Sequence, residues 1–186
     1  MICLGIKNYM SEFSYAVQLA QKLIRCPSVT PQQAGALDLL EKELGQMDFQ
    51  CTRLSFGEGI ERIENLYAEF GDGPSHFAFA GHVDVVPIGS ATDWKFPPFD
   101  AEIKDGTLYG RGASDMKTGI AAFVSAIRKW QQTSRSNTKI SLIITADEEA
   151  DAINGTAKIV EWMKKKNILP DMCIVAEPTS QLEIGD

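Results

Sequence analysis

His82 and Asp84 stand two residues apart in the run FAGHVDVVP, residues 79–87. In an extended segment residues i and i+2 point the same way, so the imidazole and the carboxylate share a face while Val83 looks away. Asp84 is then suited to accept the second ring N–H of His82 and fix its tautomer, the support that metal-bound histidines usually have. Three further acidic points follow: Asp115 in GASDMKTG, Asp147-Glu148-Glu149 directly after SLIITA, and Glu177 in VAEPTS. Each has a plainer reading when taken alone. HxD is a common hydrogen-bonded pair, Asp115 a helix N-cap, Asp147–Glu149 acids favoured near a helix start, and Glu177 a solvated turn. Together they would crowd several carboxylates into one pocket, where mutual repulsion demands neutralisation. A divalent cation supplies it, and imidazole with carboxylates suits zinc, cobalt or manganese better than calcium or magnesium. Glu148 and Glu149 are neighbours and point in different directions, so one can bind metal while the other stays free. A free carboxylate beside a metal is what a hydrolase needs: it takes a proton from water and passes it to the leaving nitrogen.

The elements that must position these groups show in the periodicity. Helical spacing runs over residues 9–25, with Ser11 as a cap, then about 32–47, 115–131 and 152–166. Strand patterns cover 51–56, 65–70, 76–86, 139–146 and 172–176, and AEIKDGTLYG predicts a hairpin turning at Asp105-Gly106. SLIIT is a short apolar run bounded by polar residues, as for a strand buried on both faces. Strands alternating with helices predict an α/β layered sheet, and all four acidic points fall at strand ends, where such sheets bind ligands. The 186 residues are 44% hydrophobic and 23% charged, a globular composition, and the net charge of -7 argues against a nucleic-acid partner. No run reaches membrane-spanning length, which points away from a membrane partner. The four cysteines form no CxxC pair, so neither a thiolate zinc site nor a disulfide framework is indicated, and a reducing, cytoplasmic setting fits.

FAGHVDVVPIG, Trp94 leading into PPF, DGTLYGRGASDMKTG, TADEEADAINGT and EPTS, in that order, resemble the dinuclear-zinc aminoacylase and carboxypeptidase clan. Within it they resemble the succinyl-diaminopimelate desuccinylases more than the acetylornithine deacetylases or dipeptidases. The likeness runs from about Leu19 to the end of the chain. It implies a three-layer α/β/α sandwich around a mixed, mostly parallel sheet, here incomplete. It implies two zinc ions per full-length subunit, with cobalt as a substitute. His82 and Glu177 would bind one ion, Glu149 the other, and Asp115 would bridge them; Glu148 would be the general base and Asp84 would orient His82. The Asp115–Met116 peptide is expected to be cis.

The implied reaction is hydrolysis of the small molecule N-succinyl-LL-2,6-diaminopimelate to succinate and LL-2,6-diaminopimelate, for lysine and cell-wall synthesis. Another N-acyl-amino-acid hydrolase, or a non-catalytic metal-binding piece, are the alternatives. Residues 1–186 would be the N-terminal portion of the catalytic domain. A lid or dimerisation domain is expected to begin near residues 180–186, giving a homodimer, and a later segment would supply a second zinc-binding histidine. Only one metal site would then be well formed in this piece, and by itself it is expected to be inactive. Thr118 departs from the glycine usual in the family. His76 reads as structural, Trp94 and Pro97-Pro98-Phe99 as packing for the long loop, and Trp130 and Trp162 as helix-face packing. Arg111, between two glycines, is expected to form a structural ion pair in preference to holding a substrate carboxylate.

Overall fold

A computed structural model describes residues 15–133 and 137–178. Residues 15–24 form helix α1, which buries Leu19, Ala20, Leu23 and Ile24; the expected start at Tyr9 and the Ser11 cap lie outside the described residues. Helix α2 spans Ala36–Gly45 and buries Ala36, Leu37, Leu40 and Leu44, an i, i+1, i+4, i+8 stripe. Strands β1 (Gln50–Phe56), β2 (Ile63–Phe70) and β3 (Ser75–His82) follow. Next comes the small hairpin of β4 (Ile103–Lys104) and β5 (Thr107–Leu108), turning as expected at Asp105 and Gly106, both with positive φ. Helix α3 (Thr118–Thr133), β6 (Thr138–Thr145), helix α4 (Thr156–Lys166) and β7 (Met172–Val175) follow among the described residues.

The five-stranded sheet has the order β1-β2-β6-β3-β7. It is mixed: β1 with β2 and β2 with β6 run antiparallel, while β3 runs parallel to both β6 and β7. Side-chain alternation on the central strand β6 sorts the core. Ile140, Leu142 and Ile144 meet α1, α2 and α3 through Leu23, Leu37, Leu40, Ile120 and Val124. Ile143 looks to the other face, with Tyr67, Ala78 and Ala80, and meets Ile159 and Met163 of α4. Burial on both faces is why Leu142, Ile143 and Ile144 show no alternation, while the flanking Ser141 and Thr145 are buried with hydrogen-bond partners for their hydroxyls. Trp130 and Trp162 pack against the two clusters from α3 and α4, as expected. Among the described residues no helix is long and apolar enough to cross a membrane.

Helix α2 begins at Ala36, four residues later than expected, and strand β2 two residues earlier, at Ile63; three further boundary differences bear on the site. Strand β3 ends at His82, and the next residues leave the sheet to run beside the segment after α1, where Val85 bridges Val29 in parallel. The apolar Val83 and Val85 are buried by that segment and not by sheet pairing, which periodicity cannot distinguish. Helix α3 begins at Thr118 because Asp115 and Met116 have non-helical backbone angles; their peptide bond is cis. Helix α4 begins at Thr156, not Ala152, since Ala152 has positive φ and the loop before Gly155 folds back on the β1–β2 turn.

Candidate metal centre

Register brings the site together. His82 pairs with Thr145, and Ala80 pairs with Val175, so the ends of β3, β6 and β7 are level. Glu148 and Glu149 follow three and four residues after Thr145, and Glu177 sits as far beyond Val175 as His82 does beyond Ala80. Asp115 arrives on the turn that leads into α3. Met116 anchors that turn under β3, its Sδ accepting the His82 N–H at 3.3 Å. The room for this comes from Gly81, where a Cβ would meet Met116 Cε at 2.7 Å.

His82 Nε2 lies 3.1 Å from Asp115 Oδ1, 3.5 Å from Glu177 Oε1 and 3.7 Å from Glu148 Oε2. One donor atom each from His82, Asp115 and Glu149 falls within 4.8 Å of the others. The imidazole is buried, whereas Asp115, Glu148 and Glu177 are partly open to solvent. The structure thus brings His82, Asp115, Glu148, Glu149 and Glu177 together, whereas the Asp147 carboxylate turns aside to accept the Asn154 N–H.

The role of Asp84 differs in detail from the expectation. The His82 ring Nδ1 sits 2.9 Å from the main-chain oxygen of Asp84, and the Asp84 carboxylate is further off at 3.5 Å. That buried carboxylate accepts instead the backbone N–H of Glu148 and of Glu149, each at 3.1 Å. One residue therefore fixes the ring on one side and the glutamate pair on the other. With Nδ1–H donated to Asp84, Nε2 is the ring nitrogen left facing the acids.

The electrostatics follow from this crowding. Burial would push the His82 imidazole down, but Asp84 and Glu177 more than offset it and hold the pKa at about 9. Burial would raise the Asp84 carboxyl, yet His82 and the two backbone amides hold it below its ordinary value. Glu149 is pushed up, first by burial and then by Asp115, with Glu148 adding to it. Glu177 is raised by burial and by its contacts with Asp115, which outweigh the pull of His82. Acids crowded in this way favour a bound cation. One imidazole nitrogen with its tautomer fixed, plus several carboxylate oxygens within a few ångströms, is a donor set that a divalent transition metal fits.

Two polar groups under the cluster escaped the sequence reading. Lys117 is fully buried, and its Nζ donates to the Cys26 carbonyl at 2.9 Å; burial pushes its pKa down to about 8 despite Cys26 and Asp84 nearby. Ser28 Oγ donates to the Val83 carbonyl at 2.6 Å, while the Val85 N–H donates to the Ser28 carbonyl. Ser28 ties the segment after α1 to the residues on either side of Asp84, and Lys117 ties the same segment to the turn that carries Asp115. The available signal was Gly112. Its φ is 80°, and a Cβ there would lie 2.7 Å from Val85 Cγ1 and 3.0 Å from Lys117 Cδ. Arg111 is a correction: among the described residues it has no carboxylate partner, and stacks over Trp94 at 5.0 Å while Nη2 donates to the Pro87 carbonyl. Neighbouring backbone and an aromatic face take the place of the expected ion pair. Trp94 itself packs the long loop, its Nε1 donating to the Ile88 carbonyl. His76 is structural, its Nε2 2.8 Å from Ser141 Oγ.

The model of peptidase family M20/M25/M40 matches residues 78–185. A succinyl-diaminopimelate desuccinylase of Parvibaculum lavamentivorans is 51% identical over 171 residues, which cover 91% of this chain and 43% of the relative. Its counterpart from Rhodospirillum centenum is 51% identical over 172 residues, 91% of this chain and 45% of the relative. The chain thus spans less than half the length of these curated relatives. Among solved structures, human carnosine dipeptidase 1 aligns with a TM-score of 0.80 at 22% identity, over 92% of this chain and 40% of the other. An M20 family metallo-carboxypeptidase of Sulfolobus solfataricus aligns with a TM-score of 0.72 at 21% identity, over 87% and 37%. Identities this low speak for a shared fold.

Proposed function

This chain belongs to peptidase family M20/M25/M40, and from that premise we propose that the whole protein hydrolyses the succinyl amide of N-succinyl-LL-2,6-diaminopimelate, yielding succinate and LL-2,6-diaminopimelate. The observation that carries the reading is the convergence of Asp115, Glu148 and Glu177 within 3.7 Å of His82 Nε2, with Glu149 beside them. The choice of acyl group is supported by the 51% identity to relatives named as desuccinylases.

In this reading His82, Asp115, Glu149 and Glu177 would hold two zinc ions, for which cobalt could substitute. When bound, the metal supplies Lewis acidity to the water and to the amide carbonyl. Glu148 remains free of metal and takes the proton of the attacking water. As the water oxygen bonds to the carbonyl carbon and the C–N bond breaks, Glu148 returns the proton to the leaving nitrogen. Asp84 keeps the imidazole and the glutamate backbone in place throughout. A lid or dimerisation domain beginning near residues 180–186, outside the described residues, a homodimeric state and a cytoplasmic location belong to the same proposal. The 186-residue chain alone is then expected to be inactive. The test is succinate release from N-succinyl-LL-2,6-diaminopimelate by the zinc-loaded whole protein, with N-acetylornithine as the competing substrate. Faster turnover of the acetyl compound would replace this reading with that of an N-acetyl-amino-acid hydrolase.

A further inference from the structure

A cleft of about 390 Å³ opens beside the glutamate pair, and the catalytic groups do not use it. Its walls include Ile60, Ile63 and Ile153, and its acids are Glu61, Asp147 and Asp151; among the described residues that line it there is no lysine, arginine or histidine. It lies at the same sheet end as the metal centre. Asn65 pairs with Thr145, so Ile63 lies alongside the Asp147 region on the neighbouring strand. Asp151 is two residues beyond Glu149, which keeps their Cα atoms within about 7 Å.

The cleft is also held in shape. Asn154 Nδ2 donates to the Glu61 carbonyl, Asn65 Nδ2 donates to the Asn154 carbonyl, and the Asn154 N–H reaches the Asp147 carboxylate, at 3.1, 3.1 and 3.0 Å. These bonds lock the β1–β2 turn against the loop after β6. Between the two, Ile60 is 96% and Ile153 61% exposed, so apolar side chains stand in water at the rim of an acidic hollow. That combination suits a molecule with methylenes at its middle and a positive charge at its end.

We propose that this cleft receives the amine half of the substrate: an unbranched aliphatic chain lying along Ile60, Ile63 and Ile153, with its terminal ammonium against Glu61 and Asp151. The inference rests on the amide-hydrolase reading and adds a specificity subsite to it. The acyl half is excluded from the cleft because it ends in a carboxylate, which three acids with no facing cation would repel. The open mouth leaves the carboxylate on the ammonium-bearing carbon in water.

The test compares two succinyl amides in the whole protein: N-succinyl-LL-2,6-diaminopimelate and N-succinyl-L-norleucine, which keeps the aliphatic chain and lacks both the distal ammonium and the carboxylate beside it. Glu61 and Asp151 are exposed, so the double variant Glu61→Gln, Asp151→Asn is expected to fold, and an unchanged melting temperature checks this. Losing two partly exposed charge pairs should raise KM for the diamine substrate about tenfold, leave its kcat within about twofold, and leave KM for the norleucine compound unchanged. The variant Ile153→Ser should raise KM for both. The inference is overturned if the double variant turns over the diamine substrate with unaltered KM, or if both KM values rise together. Absence of succinate release from either compound by the unmodified protein would instead refute the proposed function and this subsite with it, an outcome read before any variant is made.

Discussion

Replacing Glu148 with Gln separates catalysis from metal binding. The Glu148 backbone is fixed by its N–H donated to the buried Asp84 carboxylate, and that bond does not depend on the side chain. The side chain is half exposed, with its carboxylate 3.7 Å from His82 Nε2. Gln has the same shape, so stability should change by no more than about 0.5 kcal/mol, the usual range for an open position. What disappears is the ability to take a proton. A positioned general base contributes about 10²- to 10⁴-fold, or about 3 to 5 kcal/mol of barrier. The expected result is therefore kcat and kcat/KM reduced together by that factor, with KM nearly constant, since the group acts in the transition state. Metal content, measured by mass spectrometry after dialysis, should match the unmodified protein. Succinate release is the rate assay. Retention of more than about a tenth of kcat, or loss of metal in step with activity, would refute the assignment of Glu148 as the base.

The variant Asp84→Asn exchanges charge-assisted bonds to two backbone amides for neutral ones and should cost about 2 kcal/mol in urea unfolding of the metal-free protein at pH 7. Because the folded Asp84 pKa is depressed, its contribution is present above the unfolded carboxyl value and fades as pH falls through the folded one, so the two proteins should converge in acid. In metal-free protein His82 keeps its proton up to about pH 9, so at pH 7 binding a divalent ion must expel it. Calorimetry in buffers of different ionisation enthalpy should find about one proton released per ion at this ligand, with affinity rising as pH approaches 9. The same raised pKa stabilises the metal-free fold below the unfolded histidine value, and that gain is lost as pH climbs through 9. Finally, Gly112→Ala should destabilise by about 1 to 3 kcal/mol, since its Cβ would press on Val85 and Lys117 at positive φ; an unchanged urea midpoint would contradict this.

The metal centre was legible because charge is conspicuous in apolar surroundings: a histidine and an aspartate interrupting FAGHVDVVP, and acids directly after SLIITA, have no packing reason to be there. The layered sheet was legible from the change between helical and strand spacing. What stayed hidden was tertiary. Val83 and Val85 look like more of β3, and only the segment after α1 reveals that they are buried by another route. Lys117 gives no periodic signal, since a charged residue in the first turn of a helix is ordinarily solvated; its burial under Asp84 follows from a backbone path that spacing does not encode. Arg111 misled for a related reason. Its two flanking glycines mark close approach by Val85 and Lys117 on one side and by Ile24 on the other, and not a recognition loop around the guanidinium.

Of the strands that deliver ligands, β7 is held least firmly. Among the described residues it pairs only with β3, through four residues, and Met172, Ile174 and Val175 are exposed. Glu177 depends on that tether. Anything that shields this border should lengthen the time Glu177 spends beside His82, and a cation gripped by Glu177 should in return discourage the border from fraying, the two events drawing on a single linked equilibrium.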